Sequence, residues 1–203
     1  MPKVTAHLSI SLDGFVAGPA QTEAEPLGVG GLALHRWHLG ESPHEADHVM
    51  NDRLQAPRGA YVMGRNMYGP VRGEWDDAEG GDMWRGWWGE EPPYHAPVFV
   101  LTHHPHDPVE LTGTTFHFVT GFEEAMERAI EAAGEDTVTI AGGASAVRQG
   151  FEMGVIDEIM LSHAPVALGS GESPFAGLRD LQLTPLEVHG SPYATHVVYS
   201  TRG

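Results

Sequence analysis

The segment Thr137-Val138-Thr139-Ile140-Ala141-Gly142-Gly143-Ala144-Ser145-Ala146-Val147-Arg148 restricts the fold more than any other part of the chain. A short run of β-branched and apolar residues meets paired glycines and passes at once into a helix-forming stretch. Tyr61-Val62-Met63-Gly64-Arg65-Asn66-Met67-Tyr68 repeats the arrangement. A strand that turns directly into a helix leaves the first helical N–H groups unpaired, and glycine lets another group approach them closely. Together with the positive end of a helix dipole, such a junction suits a phosphate or pyrophosphate. Two such junctions in one small domain favour a nucleotide over a chance anion. They also require strands and helices to alternate, the pattern of a parallel sheet with helices on its faces.

The rest of the chain fits that pattern. Val4, Ala6, Leu8 and Ile10 alternate with Thr5, His7, Ser9 and Ser11, a strand with one more polar face. Residues 18–42 are rich in glycine and proline and read as a long loop, which in a compact domain is usually functional. Ser42-Pro43-His44-Glu45 predicts a helix start, with the helix running to about Gln55 and burying Ala46, Val49 and Leu54. Residues 70–96 hold four of the five tryptophans and are expected to form a folded flap. Strands follow at 97–102 and 116–119, then a helix with Phe122, Ala125, Met126, Ala129, Ile130 and Ala133 on one face, ended by Gly134. After the strand at 138–141 comes a helix over 144–153. A strand over 159–168 is broken by Pro165, and 181–189 with 194–200 form an antiparallel C-terminal hairpin. The fold class is therefore α/β: one domain over residues 1–203, with a mostly parallel central sheet, helices on both faces and an antiparallel end. Ligands of such sheets sit beyond the carboxyl ends of the strands. Both glycine junctions and Leu101-Thr102-His103-His104 fall there.

Charge narrows the partners. The 11 lysines and arginines face 28 acids, for a net charge of −17, and the cations are scattered. Such a chain repels nucleic acid and anionic membrane surfaces. No run approaches the roughly 20 apolar residues of a membrane span. Met1-Pro2-Lys3-Val4 enters a strand at once, so no signal peptide is expected and a cytoplasmic location is the simplest reading. Cysteine is absent, which removes disulfides, thiolate metal sites and cysteine nucleophiles. Among the 13 histidines, His44 and His48 are four apart on a predicted helix, and His103, His104 and His106 are close in sequence. A zinc site needs about four convergent ligands. These read as surface histidines, and no metal is expected.

Five segments in order resemble one known family: Ser11-Leu12-Asp13-Gly14-Phe15-Val16-Ala17-Gly18, Val62-Met63-Gly64-Arg65, Val98-Phe99-Val100-Leu101-Thr102, Ile140-Ala141-Gly142-Gly143-Ala144 and Ala164-Pro165-Val166-Ala167-Leu168-Gly169. The chain resembles the dihydrofolate reductase-like superfamily, in the branch of the reductase domain of the riboflavin-biosynthesis deaminase–reductase. The resemblance implies an NADPH-dependent reductase, often dimeric, that passes a hydride to a C=N or C=O of a pterin- or pyrimidinone-type heterocycle. By position it assigns Gly64, Arg65 and Asn66 to the adenosine end, with Arg65 toward the 2′-phosphate. Leu101, Thr102 and His103 fall to the adenine side. Gly142, Gly143, Ala144 and Ser145 would hold the pyrophosphate, and Val16, Ala17 and Gly18 would approach the nicotinamide. Asp13, Phe15 and Trp37 fall to the substrate, with Asp13 the candidate catalytic residue.

Bland readings stand beside these. Asp13-Gly14 also suits a simple turn, and Trp37 could stack on a ring or anchor the loop. Two departures from the family matter. Ala141 stands where the riboflavin enzyme usually carries a glutamate, so poor turnover of its ribosylamino-pyrimidine is expected. The acid that holds the pterin in dihydrofolate reductase has three candidate equivalents, Glu45, Asp47 and Asp52. A non-catalytic nucleotide-binding or stress protein on the same fold, or a flavin- or metal-binding protein, is the alternative.

Overall fold

The structure is a computed structural model that describes residues 1–40, 44–69 and 84–202. Its strands are β1 (Val4–Ile10), β2 (Ala60–Gly64), β3 (Pro97–Leu101), β4 (Val109–Leu111), β5 (Thr114–Val119), β6 (Val138–Gly142), β7 (Glu158–His163), β8 (Thr184–Gly190) and β9 (Thr195–Ser200). They form one sheet in the order β4-β5-β3-β2-β6-β1-β7-β9-β8. The pairs from β5 across to β7 are parallel, whereas β4, β9 and β8 join antiparallel. The helices are α1 (Arg36–Leu39), α2 (Glu45–Gln55), α3 (Arg65–Tyr68), α4 (Phe122–Ala133) and α5 (Ala144–Glu152), with a 3-10 turn at Gly31–His35 before α1. None of the described helices is long and apolar enough to cross a membrane.

Alternation along β1 sorts the two layers. All seven of its residues are buried, because the strand is central and covered on both faces. Val4, Ala6, Leu8 and Ile10 join the main core with Val138, Ile140, Ile159 and Leu161, packed under the apolar stripe of α4 and under Ala146 and Val147 of α5. On the other face, Thr5 Oγ1 meets Thr139 Oγ1 at 2.8 Å and Ser9 Oγ accepts from Trp37 Nε1 at 2.9 Å. That face holds a smaller core of Trp37, Met50, Met160, Ala194 and Val198.

A polar chain runs through this second layer. His196 Nε2 lies 2.8 Å from Asp47 Oδ1, and His196 Nδ1 lies 2.8 Å from Ser162 Oγ, with all three residues buried. Burial lowers the His196 pKa despite the opposing pull of Asp47. The neutral ring therefore donates to Asp47 and accepts from Ser162. Without access to solvent or ligand, the three residues form a structural tie from α2 to β7 and β9.

This tie explains why α2 departs from the sequence reading. The Ser42-Pro43 part of the expected start lies outside the described residues. Helix α2 opens at Glu45, with His44 Nδ1 accepting from the Ala46 N–H at 3.3 Å. Asp47 and Met50 face inward at 1% exposure each, Ala46 and Leu54 are only partly buried, and Val49 is 44% exposed. The helix buries an acid because the sheet beneath it offers a histidine.

Other boundaries move for local reasons. The strand expected over 159–168 ends at His163, and the chain turns away as Leu12 N–H donates to the Val166 carbonyl at 2.8 Å. Strand β4 was not foreseen. Of the expected flap, 70–83 lies outside the described residues. In the remainder, Trp84 Nε1 donates to the Tyr68 carbonyl at 2.8 Å and packs edge-on against Trp87, while Trp88 is 57% exposed.

Candidate active site

A cleft of about 770 Å³ opens at the carboxyl ends of β1, β2, β3 and β6. Its floor is the Gly142–Ser145 junction. The peptide between Gly142 and Gly143 is cis, and Gly142 has φ +116°, a conformation that favours glycine. Helix α5 starts at Ala144 with no side-chain cap on its first N–H groups. A Cβ built on Gly143 meets no atom within 4 Å, so the space above that residue is open. These features fit an anion held by backbone amides.

The second junction lies against the first. The pairing of β2 with β6 shifts register between Val62 and Met63, which sets Met63 opposite Gly142. A Cβ on Gly64 would stand 3.6 Å from the Gly143 nitrogen. Here the expectation needs correction: α3 is only four residues long, so this junction has little dipole to offer. What it contributes to the lining is Gly64, Arg65, Asn66 and Met67.

Twelve of the thirteen residues assigned to the cofactor by resemblance line this one cleft: Val16, Ala17, Gly64, Arg65, Asn66, Leu101, Thr102, His103, Gly142, Gly143, Ala144 and Ser145. Gly18 does not. Its N–H donates to the Leu27 carbonyl at 2.9 Å, and a Cβ there would strike the Val29 carbonyl oxygen at 2.0 Å. Gly18 is thus a packing glycine that closes the loop before α1.

None of the three substrate candidates lines the cleft. The Asp13 carboxylate accepts from Ser11 Oγ at 2.6 Å and from the Leu168 and Gly169 N–H groups at 3.0 and 2.6 Å. These bonds, the Ser11 hydroxyl foremost, hold its pKa at about 2. Asp13 clamps the loop after β1 to the loop after β7 and stands off the cleft lining. Phe15 belongs to the same turn, its backbone bonded twice to Ser11. Trp37 is 3% exposed, held by Ser9 and packed edge-on against His196, so it anchors the loop.

The sequence reading missed His7, Ser9, His35, Gln149 and Glu172, all on the lining. His7 and Ser9 were legible as polar positions in an otherwise apolar strand. Nothing in the sequence marked Glu172, which an isolated bridge to Ala17 brings to the cleft. Among the described residues of a chain with net charge −17, Glu172 is the one acid and Arg65 the one arginine on this lining.

Burial holds His7 at about 3, with Arg58 and Arg53 adding to the shift, and holds His35 and His38 each at about 4. The unfolded chain takes up these protons below about 6.5, whereas the fold resists until lower pH. Stability is therefore full above pH 6.5 and falls as pH drops toward the folded values. The expected result is a melting temperature that declines steadily from pH 7 to pH 5, with a largely buried histidine such as His7 contributing up to about 1.4 kcal/mol per pH unit. A flat or rising profile by scanning calorimetry contradicts it.

The sheet order, the paired glycines and the cleft across the strand ends define a dihydrofolate reductase-like fold. The RibD C-terminal domain matches residues 2–195, and the chain belongs to that family. Among solved structures, a Shewanella sp. PV-4 protein assigned by its name to riboflavin biosynthesis is similar at TM-score 0.65 and 22% identity, over 98% of both chains. A Thermotoga maritima diaminohydroxyphosphoribosylaminopyrimidine deaminase/5-amino-6-(5-phosphoribosylamino)uracil reductase is similar at TM-score 0.59 and 16% identity, over 98% of this chain and 56% of that one. A pyrimidine reductase-like protein from Corynebacterium diphtheriae follows at TM-score 0.57 and 15% identity, over 98% and 91%. No curated protein matches by sequence.

Proposed function

We propose that this chain is an NADPH-dependent reductase that delivers a hydride to a C=N or C=O carbon of a small planar heterocycle of pterin or pyrimidinone type. The observation that carries the reading is the uncapped start of α5 beneath open space at Gly143, at the strand ends of a RibD-family domain. When bound, the nicotinamide cofactor supplies the hydride; the chain's residues bind, orient and exclude water. The amides of Ala144 and Ser145 would hold the pyrophosphate and Arg65 the 2′-phosphate, and Val16 and Ala17 would line the nicotinamide end. Ala141 lines the cleft without a carboxylate, so the substrate of this chain differs from one held by a glutamate there.

Arg65→Ala tests the cofactor. A charge-assisted hydrogen bond is worth about 1.5–3 kcal/mol, so NADPH should weaken roughly tenfold or more and NADH hardly at all. Equal losses for both cofactors in a fluorescence titration remove Arg65 from the phosphate.

The same reading includes a homodimer. Edge strand β8 is almost wholly exposed, with Leu186 at 52% and Val188 at 63%, and neither it nor β9 carries a lysine. Open apolar edges invite pairing, and a two-fold contact is the commonest outcome. Light scattering at micromolar concentration should give twice 21.9 kDa; a mass near 21.9 kDa refutes the dimer.

A further inference from the structure

A second cavity, of about 230 Å³, lies at the amino ends of β1, β6 and β7, beside the C-terminal end of α2. Among the described residues His7 alone is shared by its lining and that of the cleft, so the two are separate. Three of the 11 cations of the sequence line it: Lys3, which is the single lysine, Arg53 and Arg58. Against them the described lining sets one acid, Glu158. In a chain of net charge −17, the fold has gathered scattered cations into one pocket.

Ion pairing does not exhaust these cations. Lys3 Nζ donates to Glu158 Oε1, while Arg53 donates to Glu158 Oε2 at 3.1 Å and to Glu187 Oε1 at 2.9 Å. Arg58 makes no ion pair among the described residues. Its Nε donates to Thr139 Oγ1 at 3.0 Å, and its terminal nitrogens donate to the Arg53, Ala56 and Pro57 carbonyls at 2.8, 2.9 and 3.0 Å. Those carbonyls end α2, and a helix end offsets only about half an elementary charge. By their donor counts, all three cations keep at least one N–H for a ligand. The surplus charge is felt at the wall: after burial, Arg58 and then Arg53 depress the His7 pKa.

Glu158 narrows the choice of anion. A carboxylate among cations repels an anion unless that anion brings it a proton. Hydrogen phosphate keeps a P–O–H at neutral pH. Sulfate has none, and a phosphomonoester, with a second pKa of about 6, has lost most of its own. Each Glu158 oxygen, though held by one cation, retains a lone pair that can accept.

We infer that this pocket binds inorganic hydrogen phosphate, held by Lys3, Arg53 and Arg58, with Glu158 accepting from its P–O–H. The site is separate from the cleft, needs no cofactor and stands independently of the reductase reading.

Because Lys3 is the single lysine, [ε-¹³C]lysine labelling gives the intact protein one lysine signal, on the pocket itself. At pH 7 and fixed ionic strength, phosphate should move that signal along a saturable curve. Sulfate and glycerol 2-phosphate should each bind at least about tenfold more weakly, the value of one hydrogen bond to a charged group. Arg53→Gln should weaken phosphate by about tenfold. Glu158→Gln puts an amide, which can also donate, in place of the acceptor, so the preference for phosphate over sulfate should largely vanish. Gly143→Val, altered in the cleft, should leave the phosphate curve unchanged. A shift that does not saturate, sulfate or the ester binding as tightly as phosphate, or a curve displaced by Gly143→Val overturns the assignment. If a pocket variant does not fold, the three anions on the unaltered protein decide alone.

Discussion

Gly143→Val is expected to abolish NADPH binding while the protein stays folded. The backbone at Gly143 has φ −69° and ψ −164°, an extended conformation open to any side chain, and the added Cβ meets no protein atom within 4 Å. The fold therefore has little reason to resist the change. The added isopropyl group enters the open space where phosphates must come within hydrogen-bond distance of the α5 amides. Losing two or three such bonds at about 1.5 kcal/mol or more each lowers affinity by at least roughly 100-fold. Circular dichroism should match the unaltered protein, and added NADPH should no longer raise the melting temperature. Undiminished protection by NADPH places the pyrophosphate elsewhere.

Asp47→Ala is expected to cause a large loss of stability. It leaves the buried Nε2–H of His196 without its acceptor at 2.8 Å and opens a void under the helix. Stranding a buried donor costs about 1–3 kcal/mol, and the void adds to that. At about 2–4 °C per kcal/mol for a chain of this size, the melting temperature should fall by roughly 5–15 °C. Asp47→Asn separates two explanations. Its amide oxygen still accepts from a neutral imidazole, so most of the stability should return. If Asn is as damaging as Ala, the pair is ionic and the neutral assignment of His196 is wrong. Cofactor affinity of the folded fraction should not change in either variant.

The order of elements was legible in the sequence because it depends on local periodicity. The two-residue alternation of Val4–Ile10 and the apolar stripe of Phe122–Ala133 each follow from one segment's own backbone geometry. The paired glycines were legible for a similar reason: a junction that needs φ +116° at Gly142 advertises itself by residue type. Family resemblance then gathered twelve scattered residues that one cleft unites.

The tertiary structure decided which side chains turn inward at polar sites, and no local pattern could do so. Asp13 looked like a turn residue or a substrate ligand because its true partners, the N–H groups of Leu168 and Gly169, lie 155 and 156 residues away. Asp47 faces the core against its own helix's apolar pattern because His196, 149 residues distant, supplies the matching donor. His7 and His35 come to the lining of one cleft only because β1 and the turn before α1 both wall it. Apolar burial is roughly additive along a segment, so a chain announces it. A buried hydrogen bond exists only between two groups, and the second is fixed by the fold.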